Sequence, residues 1–301
     1  RALLPLIPAS HYIYLGDTAR LPYGSKSHET IARYAVSSAR YLHEQGSDLL
    51  VIACNTATAL AFEDIRRAMP IPVVGVIQPG AEAALAASTS LASTPKTVTL
   101  SAGGAFAAEV EGPAVSSMPQ MSQKNGITTK ESEASATNQG HVLVLATQAT
   151  IQSHAYAQAL RGLGLEATEK ACPLLVPLVE EGWADHPVTD EVLKIYLNEA
   201  LAEAPNTQTL LLGCTHYPLL EPAIHRTLAT LNHPLTVIHS ASATARATAK
   251  AVAQHFPNLG PVSTEPTCTF YATDSIEKFQ RLGTNFLGHP LTQVNLIDLG
   301  G

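Results

Sequence analysis

Two cysteines follow apolar stretches of similar design. Residues 49–60 (LLVIACNTATAL) and 209–220 (TLLLGCTHYPLL) each contain an apolar run, a small residue, a cysteine and two polar residues before a predicted helix. Ligands of open parallel sheets bind outside the carboxyl ends of strands, and a helix N-terminus stabilises a thiolate. We therefore predict that Cys54 and Cys214 are reactive thiols with lowered pKa values, in two related halves that face each other across a cleft. A buried core cysteine is the alternative for either position.

Matched thiols suit the inversion of a carbon centre by proton transfer. Such a reaction needs a base on one face of the carbon and an acid on the other, and cysteine can serve as both near neutral pH. His216 lies two residues after Cys214 and could orient or protonate that thiol. The carbanion would need amides and hydroxyls aimed at the substrate carboxylates. Groups of this kind occur at Asn55, Thr56, Thr147, Thr150, Thr215 and in the loop of Tyr23 and Gly24.

Composition and charge limit the other classes of function. The chain has 301 residues, 46% hydrophobic and 14% charged, which is enough to bury sizeable cores. Its net charge of -7 argues against a nucleic-acid surface. No apolar run is long enough for a membrane helix, and the start does not resemble a signal peptide. Without CxxC pairs or a glycine-rich nucleotide loop, we expect no metal, no nucleotide and reduced cytoplasmic thiols.

The elements alternate between strand and helix, which predicts an α/β fold with parallel-rich sheets. Predicted strands cover residues 11–15, 48–53, 73–77, 141–146, 209–212, 236–239 and 267–272. Predicted helices cover residues 29–45, 57–68, 151–163, 173–181, 188–204, 219–231, 241–255 and 275–282.

Two pseudo-symmetric α/β domains are predicted, with the active site in the cleft between them. The first comprises residues 1–83 and 236–301, and the second comprises residues 84–235. A segment rich in Ala, Ser, Thr and Gln at about 87–140 shows no period, so we interpret it as a low-complexity insertion with a remnant strand at 98–100.

Several motifs together resemble those of glutamate racemases. GDTARLPYG (16–24), ACNTAT (53–58) and GCTHYPLL (213–220) are similar to three signature stretches of that family, and CPLLVPLVEEG (172–182) is similar to a fourth. Thr147, Thr150 and Ser153 match the Thr-x-x-Thr-x-x-Ser pattern that follows a strand of the family's second domain. The resemblance covers the whole chain except the insertion.

The resemblance implies a role for each of these positions. Cys54 would act on D-glutamate and Cys214 on L-glutamate, with His216 assisting Cys214 and with Asp17 and Glu180 as polar supports. Substrate contacts would come from Pro22, Tyr23, Gly24, Asn55, Thr56, Thr147, Thr150, Thr215 and His216.

Structural alternatives remain open for some of them. Asp17 could cap a turn, Glu180 could be an exposed helix carboxylate, and Tyr23 could be a turn aromatic. Thr147 and Thr150 could be helix caps. Cys172 and Cys268 are not accompanied by a set of residues that suggests chemistry, so we interpret both as structural. No role is assigned to Trp183.

The resemblance also implies cofactor-independent racemisation that supplies D-glutamate for peptidoglycan, in a homodimer. An aspartate racemase of the same superfamily is one alternative, and a non-catalytic ligand-binding relative is another. The family's Gly-x-Phe-Asp-Ser-Gly segment has no counterpart before Asp17, and Arg1 matches the helix that follows it. On that ground we expect the chain as given to be weakly stable and weakly active.

Overall fold

The computed structural model describes residues 1–8, 10–93, 140–258, 265–291 and 293–300. The strands are β1 His11–Gly16, β2 Leu50–Ile52, β3 Val73–Gly75, β4 His141–Ala146, β5 Glu166–Ala171, β6 Thr209–Gly213, β7 Thr236–His239, β8 Thr267–Ala272 and β9 Asn295–Leu296. The α-helices are α1 His28–Glu44, α2 Asn55–Ala68, α3 Ile77–Ser93, α4 Gln148–Ser153, α5 Ala155–Gly162, α6 Leu175–Glu180, α7 Pro187–Glu203, α8 Glu221–Thr230, α9 Ala241–His255 and α10 Ile276–Leu287. Short 3₁₀ turns occur at Thr18–Arg20, Tyr23–Ser25 and Tyr217–Leu220.

The strands form three hydrogen-bonded sheets in the described part of the chain. Their orders are β1-β8-β9, β2-β3 and β5-β4-β6-β7, and every pairing is parallel. Parallel pairing with helical connections confirms the predicted α/β class. No helix among these residues is long and apolar enough to cross a membrane.

The four-stranded sheet has apolar packing on both faces. Leu143 and Leu210 face a cluster that includes residues of α6, α7 and α8, whereas Val144 and Leu211 face residues of α3 and α5. Successive strand residues point to opposite faces, so a sheet covered on both sides needs the continuous apolar runs seen in β4 and β6. These runs are why both strands could be predicted from the sequence.

A separate apolar cluster holds α1 and α2 against β2 and β3. Ile31 of α1 and Ala61 of α2 are fully buried in it, and Leu50 of β2 is nearly so. The small side chains of Ala35 and Ala57 allow the two helices to lie close together in this cluster. This cluster fixes the position of the turn between β2 and α2.

The single helix predicted over 151–163 is wrong, because the structure has two shorter helices there. It is divided into α4 and α5 by His154, which has left-handed backbone angles (φ 54°). The His154 ring pairs with Glu169 of β5 at 2.8 Å. Neither feature alters the apolar period of the sequence, so the break could not be predicted from it.

Strand β5 was not predicted because its sequence is charged. EATEKA lies at the edge of the four-stranded sheet, and edge strands commonly carry charges that discourage further pairing. The insertion was predicted to begin at about 87, but α3 continues to Ser93, in keeping with its alanine content. The rest of that segment, including the strand predicted at 98–100, lies outside the described residues.

Strand β7 corrects the predicted domain boundary. Residue 236 was taken as the return to the first domain, but Thr236–His239 pairs with β6 in the four-stranded sheet. The return to the first half therefore follows this strand. The remainder of the division into two domains stays a prediction.

Candidate active site

Cys54 lies at the turn between β2 and α2, where it caps the helix. Its sulfur accepts a hydrogen bond from the Ala57 N–H at 3.5 Å, one of the amides that a helix N-terminus leaves without a partner. Asn55 and Thr56 are buried at the start of α2, and Cys54 is half-buried. The turn therefore places a thiol, an amide and a hydroxyl at the carboxyl end of a parallel strand.

Cys214 occupies the corresponding position after β6 and is buried. A 3₁₀ turn, Tyr217–Leu220, comes between it and α8, so the predicted helix begins later than the sequence repeat suggested. The Tyr217 hydroxyl is buried and donates to the carbonyl of Cys172 at 2.9 Å. This bond ties the second cysteine turn to the segment that precedes α6.

A single tyrosine joins the two cysteine turns. Tyr156 of α5 is fully buried, and its hydroxyl donates to Asn55 Oδ1 at 2.5 Å. Its ring lies against Gly213, where an added Cβ would be 2.9 Å from Tyr156 Cε2. The same side chain thus contacts the residue after Cys54 and the residue before Cys214.

Three threonine hydroxyls form a closed, buried triangle. Thr56 Oγ1 lies 2.9 Å from Thr147 Oγ1 and 3.1 Å from Thr150 Oγ1, and the last two are 3.0 Å apart. Thr147 occupies the N-cap position of α4 but its side chain makes no capping bond. The triangle instead connects α2 with α4, beside the first cysteine turn.

Asp17 supports the loop that contains Tyr23. The Tyr23 hydroxyl donates to Asp17 Oδ2, while Arg20 and Thr273 donate to Oδ1 at 2.8 and 3.1 Å. Asp17 makes no side-chain cap of the turn that follows it, which contradicts the capping alternative. Its carboxylate holds Tyr23, a buried residue, rather than a turn.

The loop also meets the second half of the chain. A Cβ added to Gly24 would lie 2.8 Å from Thr147 Cβ, so only glycine allows this approach. Pro22 precedes Tyr23 and follows a cis peptide bond. Gly24 therefore brings this loop against Thr147 of the threonine triangle, and the predicted substrate contacts of Pro22, Tyr23 and Gly24 stay a prediction.

Behind Cys214 lies a chain of polar groups. His216 Nδ1 is 3.9 Å from Cys214 Sγ, and His216 Nε2 is 3.3 Å from Glu180 Oε1. Lys278 donates to Glu180 Oε2 at 2.8 Å. The Glu180 side chain is only 14% exposed, so the alternative of an exposed helix carboxylate is wrong.

The remaining predicted positions differ in accessibility. Thr215 is exposed beside Cys214. Cys172 is buried and Cys268 is exposed. Trp183 is exposed and stacks on His186. No group of three or more His, Cys, Asp or Glu side chains that could hold a metal ion occurs within the described ranges.

Comparison with known proteins identifies the family of this chain. The family model for Asp/Glu/Hydantoin racemase matches residues 1–100 and 126–248. The chain belongs to this family. A curated glutamate racemase of Koribacter versatilis is 40% identical over 322 residues, covering 100% of this chain and 93% of the relative. One of Aquifex aeolicus is 38% identical, covering 96% and 88%.

Solved racemase structures have the same fold. The glutamate racemase of Francisella tularensis in complex with D-glutamate superposes with a TM-score of 0.74 at 27% identity, over 99% of this chain and 91% of that one. The glutamate racemase of Thermus thermophilus in complex with β-chloro-D-alanine gives a TM-score of 0.71 at 30% identity over the same shares. The two-domain α/β fold predicted from the sequence is thus the fold of these racemases.

The protonation of the two thiols differs from the prediction. Burial raises the pKa of the Cys54 thiol, although hydrogen bonds from the Ala57 and Thr56 amides oppose the change. Burial also raises the pKa of Cys214 to about 12, with a smaller contribution from the charge of Cys54. The predicted lowering of both pKa values is wrong, because the loss of hydration outweighs the helix N-terminus. Tyr156, which contacts the residue after Cys54 and the residue before Cys214, brings the two cysteine turns of this racemase together.

The pKa of Glu180, the carboxylate behind Cys214, is shifted in the opposite direction. The hydrogen bond with His216 lowers the pKa of Glu180 to about 2, against the effect of burial and with help from Lys278. Glu180 is therefore charged throughout the physiological range.

Two site residues of this family member were missed by sequence reasoning. Tyr156 occurs on an apolar helix face, where its hydroxyl gives no signal of a partner distant in sequence. Lys278 lies on an amphipathic helix among other charged residues, a pattern typical of a solvated face.

Proposed function

We propose that this protein interconverts L- and D-glutamate with Cys54 and Cys214 as the two acid/base groups and without a cofactor. The observation on which the proposal rests is that Tyr156 joins two turns, each of which places a cysteine at the carboxyl end of a parallel strand. The curated relatives that span this chain and the racemase crystallised with D-glutamate support glutamate as the substrate.

The reaction needs one thiolate and one thiol at a time. With L-glutamate, the Cys214 thiolate takes the Cα proton, so the Cα–H bond breaks, an S–H bond forms, and the electron pair moves into the α-carboxylate. The Cys54 thiol then delivers its proton to the opposite face of Cα, which leaves a thiolate on Cys54. D-glutamate follows the same steps in reverse.

Substrate binding would generate the thiolate that this cycle requires. Both thiols are neutral near pH 7 because burial raises their pKa values. The ammonium group of glutamate brings a positive charge into the same low-dielectric space, where it favours an adjacent thiolate. Proton release from one cysteine is therefore coupled to the arrival of the amino acid.

The hydroxyls and amides around the thiols would hold the carboxylates. Thr56, Thr147 and Thr150 hydrogen-bond to one another, and each hydroxyl can turn to donate to a carboxylate. Asn55 has its amide oxygen taken by Tyr156, so its NH₂ group remains as a donor for the substrate. Such donors stabilise the charge that develops as Cα loses its proton.

His216 and Glu180 would assist Cys214. The imidazole lies between the thiol and the carboxylate, so Glu180 would hold the ring with its other nitrogen directed at the sulfur. In that orientation His216 could exchange a proton with Cys214 during the reaction.

The decisive test is Cα–H exchange in D₂O followed by proton NMR, with L- and D-glutamate in separate samples. We expect exchange with both enantiomers, and a loss of about 10³-fold or more when Cys54 or Cys214 is replaced by alanine, the scale seen for groups that act as a unit. Cys268→Ala is the matched control because its thiol is exposed and distant in role; it should retain full exchange.

The same assay separates the alternatives. Exchange with aspartate but not with glutamate would reassign the substrate. Binding of glutamate by a folded protein without exchange of either amino acid would show a non-catalytic relative and overturn the proposal.

We expect the product D-glutamate to serve peptidoglycan synthesis in the cytoplasm, since that is the role of the glutamate racemases that this chain resembles. A homodimer is expected on the same ground, and no nucleic-acid partner is expected from a net charge of -7. Light scattering would measure the assembly directly.

A further inference from the structure

Helix α10 reaches from the first half of the chain to the groups behind Cys214. It follows β8, which pairs with β1, whereas Glu180 ends α6, a helix whose Leu175 and Val179 pack with the four-stranded sheet. Lys278 donates to Glu180 Oε2 at 2.8 Å, and Arg281 donates to the Glu180 carbonyl at 2.7 Å. One helix therefore holds both the side chain and the backbone of Glu180.

The contacts divide the Glu180 carboxylate between two partners. Oε2 faces Lys278, while Oε1 faces His216 at 3.3 Å. A carboxylate can rotate about its terminal bond, so a fixed Oε2 also fixes the direction of Oε1. In turn, the imidazole that meets Oε1 has its other nitrogen directed at Cys214.

The imidazole is restrained by the same helix on another side. The Phe286 ring of α10 meets His216 edge to face, with ring centroids 6.1 Å apart. The charged and titratable groups that face this imidazole are Cys214 on its own turn and Glu180 on α6, and Lys278 faces that carboxylate from α10. The arrangement is a relay of contacts from Lys278 to the sulfur.

We propose that Lys278 is a positioning residue for proton transfer at Cys214, acting through Glu180 and His216 from the opposite half of the chain. This inference rests on the proposed function. An ion pair that only fastens the two halves together is the competing explanation, and the Lys278 side chain is 37% exposed, so its contribution to stability alone would be small.

The test compares Lys278→Met, Lys278→Arg and Lys194→Met in the otherwise unchanged protein. Lys194 is an exposed lysine of α7 and serves as the matched control. Because the enantiomers have equal free energies in water, kcat/KM must fall equally in both directions, and we expect a loss of about tenfold for Lys278→Met, within the ~100-fold that small misplacements can cost. Lys278→Arg should recover most of this loss, and Lys194→Met should show none.

The measurement that identifies the affected step is the primary deuterium isotope effect on kcat/KM, with glutamate labelled at Cα. Slower transfer at Cys214 makes that step limiting in both directions. The isotope effect should therefore increase for L-glutamate, because Cys214 breaks its labelled Cα bond. It should decrease for D-glutamate, because Cys54 breaks the labelled bond of that enantiomer.

Isotope effects that stay unchanged, or that shift alike for both enantiomers, would overturn the positioning role and leave a structural ion pair. An unmodified protein without exchange would instead overturn the proposed function, and this inference with it. If Lys278→Met turns over as fast as the unmodified protein and shows the same isotope effects, the proposed racemase function stands and only the positioning role of Lys278 is overturned.

Discussion

At the scale of single residues, the two thiols show how burial competes with hydrogen bonding. Cys54 accepts an amide hydrogen bond at a helix start, and an exposed thiol there would be acidified. Burial has the larger effect on both cysteines. The two cysteines are therefore neutral thiols near pH 7, which are weak bases but also poor targets for adventitious oxidation.

The raised pKa values predict a pH dependence of turnover. Between about pH 6 and about pH 8, the population of the single thiolate should increase nearly tenfold per pH unit, because the ordinary cysteine pKa of about 8.5 is already above this range. We expect kcat/KM to rise with it, and initial rates at fixed ionic strength would measure the slope. A rate that is flat over this interval would mean that one thiol is ionised at neutral pH, as the sequence alone had predicted.

At the scale of elements, the two cysteine turns pack closely on the Tyr156 ring, and this packing predicts that an added side-chain atom lowers stability. An alanine at position 213 would place its Cβ 2.9 Å from Tyr156 Cε2 and 3.2 Å from the carbonyl oxygen of Leu145. The backbone oxygen cannot move aside without disturbing the strand pairing of β4 and β6. We expect Gly213→Ala to lower the free energy of unfolding by about 1–3 kcal/mol and to impair exchange with both enantiomers.

Gly162→Ala is the control for that substitution. Gly162 ends α5, the helix that contains Tyr156, and nothing lies within 4 Å of an added Cβ. Alanine there should be neutral or stabilising by up to about 1 kcal/mol. Urea denaturation would compare the free energies of unfolding of the two variants. Equal losses of stability would show that the contact with Tyr156 is not the cause of the loss in Gly213→Ala.

The sequence predicted most of these elements but few of the contacts between them. The apolar runs of β4 and β6 and the helical period of α1 were recognisable because sheet burial and helix amphipathicity leave periodic patterns. The break at His154 and the charged edge strand β5 leave no such pattern. Motif resemblance located the cysteines, Tyr23 and the threonines, whereas Tyr156 and Lys278 depend on tertiary contacts between residues distant in the chain.

At the scale of the whole molecule, the sheets differ in how well they are covered. The four-stranded sheet is packed on both faces, and Val142 to Ala146 of β4 are fully buried. Strand β1 has no buried residue, and Tyr14 within it is 51% exposed. Local stability follows buried apolar contact, so the two halves of the chain should differ in their resistance to opening.

Hydrogen exchange followed by mass spectrometry would measure this difference. We expect amides of β1 and β8 to exchange through local opening at rates well above those of β4 and β6, whose amides should exchange only through global unfolding. A plot of exchange against low urea concentrations provides the control, because global opening alone is strongly accelerated by denaturant. Equal protection in both sheets would mean that the halves unfold as one cooperative unit.

The unequal exposure of the four cysteines has a practical consequence for chemical labelling. Cys268 is the exposed thiol, while Cys172 and Cys214 are buried and Cys54 is half-buried. A bulky maleimide or a fluorescent iodoacetamide will therefore reach Cys268 before either thiol of the site. Loss of one titratable sulfhydryl without loss of turnover is the signature of that modification, and a Cys268→Ser background would turn the same reagents into specific probes of how substrate shields Cys54.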